Sequence, residues 1–139
     1  MADHPQKPGH VRPLSPHLTI WRWQVTMLAS IMHRATGMAL SLGAIVLAWW
    51  LICISNGPEG YDSFMVYAAM PLGLIVLFGF TWAFAFHFCN GVRHLAWDLG
   101  YGFEKHIASQ TGSLVFALSF IIAIAAFALV WTGHAGYLQ

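Results

Sequence analysis

The stretch that decides the fold runs from Phe64 to Asp98, FMVYAAMPLGLIVLFGFTWAFAFHFCNGVRHLAWD. Its apolar part exceeds the ~20 residues that carry a helix across a hydrocarbon core ~30 Å thick. It therefore predicts a membrane-spanning helix over about 64–94, with Pro71 bending it or marking its first turn. The run ends in charge, with His87 inside it and Arg93, His94 and Asp98 at its edge. An ionisable side chain in a spanning helix is costly, and it is read by default as functional.

Composition extends that reading to the whole chain. Of 139 residues, 58% are hydrophobic and 8% charged, where a soluble domain carries about a quarter charged residues. The mean hydropathy is +0.64. The expected fold is an all-α membrane protein forming one domain over 1–139. It has three transmembrane helices and an N-terminal interfacial segment. The other two spans are predicted at about 30–54 and 109–131. Residues 1–29 form a Pro-punctuated cytoplasmic arm and then an interfacial segment, where Trp21 and Trp23 suit the headgroup level. Met1 to Arg34 reads neither as a secretory signal nor as an amphipathic transit peptide.

The loops orient the spans. Lys7, Arg12, Arg22 and Arg34 precede or open the first span, and Arg93 and Lys105 flank the loop between the second and third. The loop Ser55 to Ser63 carries only Glu59 and Asp62, and no Lys or Arg follows Trp131. The positive-inside rule places the N-terminus in the cytoplasm and the C-terminus in the periplasm. A bacterial inner membrane is the expected location, with the mitochondrial inner membrane as the alternative.

Two cysteines, Cys53 and Cys89, form no CxxC pair, so the chain has no ligand set for an iron–sulfur cluster or a cysteine zinc site. No GxGxxG follows a strand-like segment. Redox chemistry would need electrons from another chain, and no nucleic-acid partner is indicated.

His87 is followed one turn later by Gly91. An imidazole over a missing side chain suits a flat macrocycle that needs an axial ligand; a histidine hydrogen-bonded to a neighbouring helix is the other reading. His94 lies seven residues on, ~10.5 Å along a helix. Two trans ligands on one iron stand only ~4 Å apart, so His87 and His94 do not share one haem. A six-coordinate haem would need its second ligand from another helix, in this chain or in a partner.

The first span opens with Ser30, His33, Arg34 and Gly37, spaced as one helical face, and Trp23 and Met27 continue the stripe backward if helix persists there. A hydroxyl, an imidazole and a guanidinium on one face could bind haem propionates or the carbonyl oxygens of a quinone. Trp23, Met27 and Ile31 would line the apolar slot for its ring. For Arg34 the competing reading is snorkelling to headgroups.

Three motifs occur in order: Arg12-Pro-Leu-Ser-Pro-His17-Leu, Ser30-x-x-His33-Arg34-x-x-Gly37, and His87-x3-Gly91-x-Arg93-His94-x-x-Trp-Asp98. Together they resemble the cytochrome b membrane-anchor family of succinate dehydrogenase, respiratory complex II, the larger of its two anchors. Trp21 departs from the family, standing where Tyr is common.

The resemblance implies a non-flavin subunit without a complete active site of its own, working with a flavoprotein, an iron–sulfur protein and a second small anchor. It implies one haem b, with His87 as the axial ligand from this chain and a histidine of the other anchor opposite. It assigns Ser30 and Arg34 to ubiquinone, the substrate, with Trp23, Met27 and Ile31 around it. His33 and Arg34 would meet the propionates. His94 and Arg93 would help hold propionates or the contact with the iron–sulfur subunit. The anchor of a fumarate reductase using menaquinol and a purely structural anchor without haem are the rival readings.

Overall fold

The computed structural model describes residues 17–136, and every regular element among them is helical. In chain order these are α1 (His17–Ile20), α2 (Val25–Ser55), α3 (Pro58–Ala68), α4 (Pro71–Asp98) and α5 (Lys105–Gly136). α2, α4 and α5 are each long and apolar enough to cross a membrane, as an all-α spanning protein requires. The irregular arm expected before His17 lies outside the described residues.

The boundaries differ from those read in the sequence. The second span starts at Pro71, not Phe64, because the apolar run is two helices with a corner between them. Met70 is extended (ψ 152°), as the residue before a proline prefers, and Pro71, lacking an N–H, suits a first helical position. Gly73 makes the corner possible, since a Cβ there would run into the Tyr67 and Ala68 carbonyl oxygens. Phe64 belongs instead to α3, where it is buried and meets Trp49 edge-on, with centroids 4.8 Å apart. What read as the first loop is thus largely helical, entered through Gly57 at φ 83°.

The first span begins at Val25 rather than Ser30, and the third at Lys105 rather than Ser109. Gln24 is extended (φ −121°, ψ 143°), so Trp23 precedes the helix and only Met27 continues the expected stripe. Trp21 and Trp23 are both exposed and touch edge-on at 5.0 Å.

α4 is the central member and packs on both α5 and α2. The core joins Ala29, Phe86 and Val115, with Met32, Trp82, Cys89 and Phe116 around them. Many buried positions hold small residues, including Ala83, Ala85, Ala108, Ser119 and Ala123. Membrane helices associate through such close approach rather than through a hydrophobic drive. Trp82 also reaches across to α5, its Nε1 donating to Ser119 Oγ at 3.2 Å. Met38, Leu42, Ile45 and other large apolar side chains stay exposed on α2, as lipid or a partner helix permits.

Candidate functional site

Near the start of α2 and the end of α4, three histidines come together. The rings of His33 and His87 are stacked, with centroids 3.9 Å apart and planes 10° from parallel. His94 meets His33 edge-on at 5.0 Å and leans on Trp97 at 5.2 Å. Successive helical residues point ~100° apart, so His87 and His94, seven residues apart, share one side of α4.

His87 is fixed by α2. Its Nδ1 lies 3.2 Å from the His33 carbonyl oxygen and 3.3 Å from Thr36 Oγ1. These contacts leave Nε2 available as a donor to a metal, the arrangement in which a ligating histidine spends its other nitrogen on a carbonyl. Among the described residues no group of three His, Cys, Asp or Glu side chains converges to hold a metal ion. One imidazole so prepared suits a metal whose equatorial ligands arrive with it, as in haem. The glycine facing His87 most closely is Gly37, where a Cβ would stand 3.1 Å from His87 Cε1; a Cβ at Gly91 would meet nothing within 4 Å. Among the described residues His33 Nδ1 is buried without a hydrogen-bond partner, so the cluster holds a polar atom that none of them satisfies.

The face expected to gather Ser30, His33, Arg34 and Gly37 is divided. His33 and Gly37 turn toward α4, whereas Ser30 and Arg34 are exposed. Met27 and Ile31 share that outward face at 37% and 49% exposure, and Trp23, ahead of the helix, is 63% exposed. Spacing alone could not separate the two sets, because a span of four residues covers more than one neighbour. The hydroxyl and guanidinium lie together on one outer surface of α2, and neither α4 nor α5 covers it.

Arg93 goes elsewhere. It is buried against α5: Nε donates to Thr111 Oγ1 at 3.1 Å, Nη2 to the Ala108 carbonyl at 2.9 Å and Nη1 to Asn90 Oδ1 at 3.3 Å. Its Cζ sits 4.0 Å over the Trp97 ring, and Trp97 Nε1 donates to the Gly102 carbonyl at 3.1 Å. Thr36, Asn90 and Thr111 were not legible as site residues; each is a small polar residue in an apolar run, a signal shared by ordinary packing positions such as Ser119.

The sequence is similar to those of known proteins. The family model described as succinate dehydrogenase/fumarate reductase transmembrane subunit matches residues 9–126. The chain is 40% identical to a succinate dehydrogenase cytochrome b556 subunit of Rickettsia typhi, over 86% of this chain and 90% of that protein. It is 37% identical to the cytochrome b556 subunit of Paracoccus denitrificans, covering 81% and 87%. It is also 36% identical to the human mitochondrial cytochrome b560 subunit, covering 80% and 67%. A match over most of the chain, joined to three spanning helices, makes this protein a member of the succinate dehydrogenase/fumarate reductase transmembrane-subunit family.

Proposed function

We propose that this chain is the haem- and quinone-binding anchor of a succinate:ubiquinone oxidoreductase. The observation that carries the reading is the hold on His87, whose Nδ1 faces two oxygen acceptors of α2 and whose Nε2 is left for iron. Haem b, once bound, supplies a one-electron carrier at this end of the bundle. His87 would hold it from this chain, and a histidine of a second small anchor would supply the other ligand. His33 and Arg34 hold the propionates, with His94 beside them. Arg93 supports the site by fixing α5 to α4.

Ser30 and Arg34 bind ubiquinone on the outer face of α2. Their hydroxyl and guanidinium donate hydrogen bonds to its oxygens and stabilise the negative charge that develops on reduction. Met27, Ile31 and Trp23 flank the ring. Because this face is open in the single chain, the second anchor and the iron–sulfur subunit complete the pocket. Electrons come from succinate through the flavoprotein and iron–sulfur subunits, and protons are delivered from the aqueous side by groups on those partners. The chain lies in the bacterial inner membrane with its N-terminus cytoplasmic and its C-terminus periplasmic. The relatives named above are all succinate dehydrogenase subunits, which favours succinate oxidation over the reverse reaction with menaquinol.

The dithionite-reduced spectrum of the purified complex tests the haem assignment. A His87→Ala complex that still assembles is expected to lose the b-type α-band. An unchanged band would overturn ligation by His87, and a wild-type complex with no band at all would leave a purely structural anchor.

A further inference from the structure

The contacts of His87 fix where its proton sits. The His33 carbonyl oxygen, 3.2 Å from Nδ1, can only accept. Thr36 Oγ1 carries one proton, and that proton is directed back along its own helix, where the Met32 carbonyl lies at 2.8 Å and the His33 carbonyl at 3.0 Å. Toward His87 the hydroxyl oxygen, 3.3 Å away, is therefore an acceptor as well. Two acceptors at one ring nitrogen require that nitrogen to carry the hydrogen, which leaves the lone pair of the neutral ring on Nε2.

Two further features hold the same ring. The His33 imidazole lies parallel to it at 3.9 Å. Gly37 lets it approach, since a Cβ there would stand 3.1 Å from Cε1 and 3.6 Å from Nδ1.

We propose that His33–Gly37 is a positioning cradle that sets the donor strength and plane of the His87 ligand. Thr36 is its adjustable member. The His33 carbonyl and Thr36 Oγ1 share the Nδ1 proton, the His33 ring sets the imidazole plane, and Gly37 sets its depth. Thr36 is a positioning residue acting through His87. Drawing density onto Nε2 favours the more highly charged, oxidised iron. The inference rests on the reading of His87 as haem ligand.

The test uses the assembled complex carrying Thr36→Val, which keeps the shape and removes the oxygen, and Thr36→Ser, which restores it. Readouts are haem per flavin, an equilibrium redox titration of the α-band and the electron paramagnetic resonance of the oxidised haem. Thr36→Val is expected to keep its haem and shift the oxidised-to-reduced ratio at fixed potential about fivefold toward reduced, the equivalent of one hydrogen bond. Thr36→Ser should return toward wild type. A Thr36→Val complex with wild-type titration and resonance overturns the proposal, as does an equal shift in both variants. If Thr36→Val fails to assemble, Gly37→Ala decides: displaced resonance positions support the cradle, and unchanged ones overturn it. Wild-type haem in His87→Ala would instead strike down the ligand reading beneath it.

Discussion

The imidazoles of His33 and His87 lie stacked 3.9 Å apart, within 10° of parallel, and tie the start of α2 to the end of α4. The contact joins two residues that are 54 positions apart in sequence. It also turns the His33 ring toward α4, while its neighbour Arg34 points ~100° round the helix.

Replacing His33 by Ala removes the stacked ring and keeps the backbone carbonyl that accepts from His87. Aromatic pairs contribute ~0.5–1.5 kcal/mol. The His33→Ala complex is expected to retain haem but release it up to about tenfold more readily. Haem per flavin after stepwise detergent washing measures the change; retention equal to wild type would show that the stack contributes nothing.

Ser30→Ala and Arg34→Ala should leave folding intact, because both side chains are exposed in the chain. Quinone reduction is expected to fall about tenfold for Ser30→Ala and roughly a hundredfold or more for Arg34→Ala, the scale for losing a donor to a developing oxyanion. Succinate oxidation with an artificial acceptor at the flavin end should stay near wild type. Equal losses in both assays would point to failed assembly.

Arg93 is a clamp between α4 and α5, with two hydrogen bonds to α5 and, within α4, one to Asn90 and a stacking contact with Trp97. Arg93→Ala strands buried acceptors and should cost about 3 kcal/mol. Arg93→Lys should recover less than half, since one ammonium cannot reproduce the planar fork and the stack. Thermal unfolding of the complex checks both. The same loss in a haem-free His87→Ala background separates the clamp from any direct role at the haem.

At Gly73 an added methyl would meet the Tyr67 and Ala68 carbonyls. Gly73→Ala is expected to lower the thermal stability of the complex by about 1–3 kcal/mol. The reduced haem spectrum should not change, because His87 lies ~21 Å farther along α4. A shifted spectrum would mean that the corner between α3 and α4 is coupled to the site.

Length and hydropathy determined three spanning helices, and an ionisable residue within an apolar run singled out His87. Motif order also made the family legible, because it requires no knowledge of which helix faces which. The sequence left open how each helix is rotated. In a soluble helix the apolar stripe marks the buried face, but here packed and lipid-facing sides are both apolar, so periodicity cannot tell them apart. Tertiary packing therefore decided that His33 turns inward while Ser30 and Arg34 turn out. Packing also set Gly37 against His87 and committed Arg93 to α5. The corner at Met70–Pro71 escaped hydropathy for the same reason: α3 and α4 are apolar on both sides of it, and only the backbone geometry of Pro71 and Gly73 divides them.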